Sequence, residues 1–213
     1  AFFHPNMPDE PLIFVEVALI KGMANNVQEL LDESAPLEDI SQADTAIFYS
    51  ISNAQEGLAG ISFGNFLIKR VVNKLRQEFP QLTQFATLSP IPGFCRWLDG
   101  IESETEAAML DDGVELRSPE HLQKMAAHYL GEQKQKRNQN YARDPVAHFH
   151  LSNGAQIERL NWMADSSDNG IKQSAGMMVN YLYELPQIEN RSQGYSADGT
   201  VALSAALEKQ LKN

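Results

Sequence analysis

One cysteine, Cys95, among 213 residues excludes an internal disulfide. That thiol usage favours a reducing compartment. Positive charge is scarce as well: 17 Lys and Arg stand against 28 Asp and Glu, a formal net charge of -11. Nucleic acid is therefore disfavoured as a general partner, because its phosphates are neutralised by Lys and Arg. Long apolar runs are missing. "PLIFVEVALI", 11–20, is too short for a membrane helix and carries a glutamate, and the chain opens without a secretory leader pattern. Also absent are the Gly-Lys-Ser/Thr ending of a P-loop, the G-x-S-x-G elbow, H-E-x-x-H and paired cysteines. An opening alanine followed almost at once by a strand-like run leads us to expect a processed or truncated half of something longer.

What is present alternates between strand and helix patterns, which implies one α/β domain over residues 1–213 with a mixed sheet flanked by helices. Runs 11–20 and 45–52 ("TAIFYSIS") are aliphatic and aromatic at strand length. "NNVQELLDES" between them predicts a short helix with Val27, Leu30 and Leu31 on one side. Residues 65–79 predict an amphipathic helix: Leu67, Ile68, Val71, Val72, Leu75 and Phe79 recur at helical spacing, with Lys69, Arg70, Lys74 and Arg76 on the remainder. "QFATLS" reads as a strand, "GFCRWLDG" as a short helix, and 118–130 as a helix capped by Ser118. Asp144, Pro145 and Asn153-Gly154 bracket a two-turn helix. "QIERLNW" predicts a strand, "DNGIKQSAGMMVNYL" a helix, and the last fourteen residues a terminal helix. Met163, Met177 and Met178 read as core filling rather than ligands.

Three constellations carry chemistry. A strand, then "GLAGISFGN", then the basic helix could seat a pyrophosphate on exposed main-chain N–H groups at a helix start. The plainer reading is that the glycines turn the chain and the basic residues form a solvated face. In "LSPIPGF", 88–94, Ser89 precedes a proline, which pushes it towards an extended backbone and fixes its hydroxyl on a stiff corner. A purely structural corner is the alternative. In "HFHLSNG", His150 falls in the last helical turn, where the negative dipole end should favour imidazolium and suit a proton donor. His148 points elsewhere on that helix. A capping histidine is the competing account.

Taken in order, "GLAGISFGNFLIKRVV", "LSPIPGF", "HFHLSNGA", "NWMADSS" and "GMMVNYLY" make the chain resemble the catalytic part of the malonyl-CoA decarboxylase family, from about residue 2 to the terminal helix. The resemblance implies a fold similar to the GNAT acyltransferases, with the amino-terminal helical domain of the family absent from this chain. By position it implies Ser89, His150 and Tyr183 as catalytic residues, and Gly60, Ile61, Ser62, Phe63, Gly64 and Asn65 as the loop against the CoA pyrophosphate. Ser62 stands where an acidic residue would be expected. The implied reaction converts malonyl-CoA to acetyl-CoA and CO2 through a thioester enolate that His150 protonates, with CoA as part of the substrate, no separate cofactor and no metal. A cytoplasmic location, or alternatively the mitochondrial matrix, and a homo-oligomer are compatible with it. An N-acyltransferase on the same CoA cradle and a non-catalytic acyl-CoA sensor remain open. Free thiol released in the presence of amines would mark the first, and binding without turnover the second.

Overall fold

Strand β2, Met7–Ile20, is the longest element among the described residues and carries several β-branched and aromatic residues that suit a pleated surface. It pairs antiparallel with β1, Phe2–His4, on one side and with β3, Thr45–Asn53, on the other. The β2–β3 register runs from Ile13↔Asn53 to Ile20↔Thr45 with a bulge between Glu16 and Val17. A computed structural model of the protein describes residues 1–4, 6–36, 39–53, 66–101 and 117–212. Helix α1, Val27–Leu30, is one turn capped by Asn26. Val27 and Leu30 pack inward, whereas Leu31, expected beside them, lies past the helix end and is exposed.

β3 runs parallel to β4, Gln84–Thr87. A parallel pair needs a crossover, and α2, Phe66–Glu78, provides it. Ile68 and Val72 of α2 are wholly buried in the same core as Phe48 and Phe85. Alternation sorts each strand between two cores: Ala46 and Phe48 enter the larger one, while Ile47 enters a smaller one with Ala86, Leu88 and Met178. Beyond β4, the two-residue strand β5, Ser89–Pro90, leads into α3, Phe94–Leu98. There follow α4, Pro119–Gly131; α5, Pro145–Ser152; and β6, Gln156–Asn161.

The helix expected over 168–182 is corrected to two elements. Helix α6 covers Asp168–Ser174, and strand β7 covers Met178–Leu182. Ala175 at φ 51° and Gly176 at φ 76° turn the chain out of the helix. Val179 and Tyr181 then alternate with Met178 and Leu182 between the two cores. Helices α7, Ile188–Asp198, and α8, Ala205–Lys212, complete the chain, and α7 carries no expectation from the sequence reading. The seven strands among the described residues lie in the order β1-β2-β3-β4-β7-β5, with β6 on the other side of β7. Met177 and Met178 fill core as expected, but Met163 sits at φ 50° and 39% exposed. No helix among the described residues is long and apolar enough to cross a membrane.

Candidate active site

The ladder between β4 and β7 opens at one point. Ala86↔Leu182 and Ser89↔Val179 share one antiparallel register, which sets Thr87 opposite Tyr181 between them. Side chains stand in for main chain there: the Tyr181 N–H donates to Thr87 Oγ1 at 3.3 Å, and Asn180 Nδ2 donates to the Thr87 carbonyl at 2.8 Å. Thr87 and Ser89, two residues apart, share a face, while Leu88 enters the smaller core. Ser89 Oγ lies 2.8 Å from Thr87 Oγ1 and 3.2 Å from His150 Nε2.

Behind Ser89 the chain is tied to the helix that carries His150. The Gly93 N–H donates to Asp144 Oδ2 at 3.3 Å. Oδ1 of the same carboxylate accepts from Val146 N at 2.9 Å and Ala147 N at 3.0 Å, which caps α5. Burial pushes the Asp144 carboxyl above its usual range, against those main-chain donors and the Tyr129 hydroxyl that lower it. A side chain at Gly93 has no room, since a Cβ would fall 2.1 Å from the Tyr129 hydroxyl.

From the last turn of α5, His150 presents Nε2 to Ser89 and Nδ1 to the Tyr183 hydroxyl at 2.8 Å. Its ring stacks on Tyr181 at 4.4 Å between centroids and 24° between planes. These partners are all uncharged. Burial pushes the His150 pKa down to about 3. The expectation of a dipole-favoured imidazolium is thereby corrected: a helix end contributes at most ~2 kcal/mol, whereas the shift from 6.5 to about 3 corresponds to ~5 kcal/mol. Burial wins, and the resting imidazole is neutral. Burial likewise pushes the Tyr183 and Tyr181 phenols upwards, and the Tyr181 hydroxyl has no hydrogen-bond partner among the described residues.

The structure thus brings Ser89, His150 and Tyr183 into one hydrogen-bonded chain. Gly60, Ile61, Ser62, Phe63, Gly64 and Asn65 lie outside the described residues. On α2, Lys69 bonds Glu189 at 2.5 Å and Lys74 bonds Glu78 at 3.0 Å, so part of that basic face is matched internally. His148 is separate, with Nδ1 2.8 Å from the Tyr195 hydroxyl. Among the described residues, no three His, Cys, Asp or Glu side chains gather as a metal site would require. Sequence reasoning missed Thr87, Asn180 and Tyr181. The i, i+2 spacing of Thr87 and Ser89 in "ATLS" was the available signal for the first.

Known proteins line up with this architecture. The family model described as malonyl-CoA decarboxylase C-terminal domain matches residues 1–118 and 114–213. Mitochondrial malonyl-CoA decarboxylase of Anser anser anser is 39% identical over 232 residues, covering 91% of this chain and 45% of its own length. The crystal structure of malonyl-CoA decarboxylase from Cupriavidus metallidurans superposes with a TM-score of 0.86 at 44% identity, over 99% of this chain and 58% of that one. The chain therefore spans about half the length of the relatives it matches. A GNAT-like decarboxylase, GphF, solved with isobutyryl-CoA, shares the fold at a TM-score of 0.51 and 18% identity, covering 86% of this chain and 76% of that one.

Proposed function

Because the chain belongs to the malonyl-CoA decarboxylase family, we propose that it carries the site at which malonyl-CoA loses CO2 and becomes acetyl-CoA. The observation that carries this reading is the buried, uncharged chain Ser89–His150–Tyr183 at the opening between β4 and β7. A carboxylate brought beside it leaves water for a place without a cation on those side chains. Its negative charge is then better accommodated when spread onto the thioester as the C–C bond breaks. The Ser89 hydroxyl, held by a proline-stiffened corner, fixes the carboxylate out of the thioester plane, so the breaking bond aligns with the π system.

Carbon dioxide leaves with its two oxygens and the bonding pair stays on the substrate as an enolate. His150 then transfers the Nε2 hydrogen to the α-carbon. Neutral imidazole is a sufficient acid for so basic an acceptor. The charge passes through Nδ1 to the Tyr183 hydroxyl, and a proton from water restores the resting chain, one per turnover. Gly60 to Asn65 hold the CoA pyrophosphate in this reading, and Ser62 takes no acid role. The chemistry calls for no separate cofactor. We place the activity in the cytoplasm, with the mitochondrial compartment named for the goose relative as the alternative.

Purified protein incubated with malonyl-CoA labelled in its free carboxylate provides the test. Released label matched one to one by acetyl-CoA supports decarboxylation. Free CoA appearing with an acylated amine would replace it by acyl transfer, and binding with the label retained would replace it by an acyl-CoA sensor.

A further inference from the structure

The hydrogen-bond chain extends one residue past the three named above, and its direction matters. Ser89 has one hydrogen to give and two neighbours able to take it: Thr87 Oγ1 at 2.8 Å and His150 Nε2 at 3.2 Å. Where that hydrogen goes decides which imidazole nitrogen is protonated. Given to Thr87, it leaves a Ser89 lone pair facing Nε2, so Nε2 must carry the hydrogen and Nδ1 must accept from Tyr183. Given to His150, it demands the opposite tautomer, with Nδ1–H directed at a phenol.

We infer that in the ligand-free chain Thr87 is a positioning residue that takes the Ser89 hydrogen and thereby holds His150 as the Nε2–H tautomer, ready for the moment when a bound carboxylate draws the Ser89 hydrogen to itself. Four observations converge on it. The Ser89–Thr87 contact is the shorter of the two. Thr87 is fully buried and cannot give way to water. Its side chain is immobilised at the opened ladder, where Oγ1 accepts from the Tyr181 N–H and the carbonyl accepts from Asn180. At the other end, Tyr183 bonds to Nδ1 at 2.8 Å, and a phenol is a better donor than an aliphatic hydroxyl, so the strongest donor faces the imidazole lone pair. The inference rests on the proposed reaction for its purpose, since only an Nε2 hydrogen faces the side of the ring where Ser89 meets substrate.

The tautomer is read directly from the two ring-nitrogen resonances of His150 in 15N-histidine-labelled full chain without substrate. Wild type should show a protonated Nε2 and an unprotonated Nδ1, and the reverse overturns the inference without any variant. Thr87→Val keeps nearly the same volume but removes the acceptor. Ser89 should then donate to Nε2, the resonances should exchange character, and turnover should fall about tenfold or more with KM within about twofold. Thr87→Ser should retain the wild-type tautomer and turnover within about twofold. A folded valine variant with the wild-type tautomer would sink the inference, as would a serine variant that loses it. Absence of CO2 release from wild type overturns the function reading alone, because the tautomer is measured before any chemistry.

Discussion

His150 should make the folded protein sensitive to acid in a window that the wild-type and His150→Gln proteins do not share. In the folded chain its pKa is lowered by burial to about 3 from an ordinary 6.5. Between those values the unfolded chain binds a proton at His150 that the folded chain refuses, so stability falls as pH falls. The contribution is fully present above about 6.5 and is lost progressively towards about 3. By linkage the loss is only ~0.2 kcal/mol at about pH 7, ~2 kcal/mol at about pH 5 and ~4 kcal/mol at about pH 3. Urea unfolding at about pH 7 and about pH 5, on wild type and on His150→Gln, isolates the effect as the difference between the two pH slopes. A lower absolute stability of the variant does not matter to that difference. Wild type should lose ~2 kcal/mol more than the variant over the interval. Parallel profiles would show that His150 is not held neutral by burial and would remove the basis for its assignment as a neutral donor.

Ser89→Ala should cut turnover by about 10²–10³ while CoA-thioester affinity, measured by competition, changes by no more than a few-fold; unchanged turnover removes the serine from the mechanism. Asp144→Ala takes away the α5 cap and leaves the Gly93 N–H and the Tyr129 hydroxyl without their acceptor. Unfolding should register a loss of ~2–4 kcal/mol, and a loss below ~1 kcal/mol would contradict the capping role. Gly93→Ala pushes a methyl to 2.1 Å from the Tyr129 hydroxyl. It should cost ~1–3 kcal/mol, and addition of Tyr129→Phe should recover part of that; no recovery would locate the clash elsewhere.

Local chemistry made much of this legible in the sequence. Ser118 and Asp144 cap their helices because their short side chains reach main-chain N–H groups, a preference that tertiary context seldom overrides. The α2 face was legible for the same reason, since Ile68 and Val72 recur at helical spacing. Failure came at 175–182, where the helix expected from Asp168 onwards runs into a left-handed Ala-Gly stop and then a strand. That misreading also hid Asn180 and Tyr181, whose places depend on pairing with a strand some ninety positions away in sequence. The His150 error was one of magnitude: the dipole is written in the local sequence, but the burial that overwhelms it comes from Tyr181 and Tyr183 across the fold.

The same number that corrects His150 also weighs the competing chemistries. An N-acyltransferase must remove a proton from an ammonium acceptor of pKa ~10. An imidazole whose conjugate acid sits near 3 is about seven units too weak, a deficit of ~10 kcal/mol for transfer to His150. Protonating an enolate runs the other way: the neutral ring gives a hydrogen up to a far stronger base, and no imidazolium need exist at any stage. An uncharged pocket is thus a poor place to deprotonate an amine and a good one in which to strip a carboxylate of its hydration. A GNAT-like sheet leaves both chemistries open, and the burial of one histidine, with hydroxyls rather than carboxylates on both of its nitrogens, favours the proposed decarboxylation over an acyl transfer that would use His150 as its base.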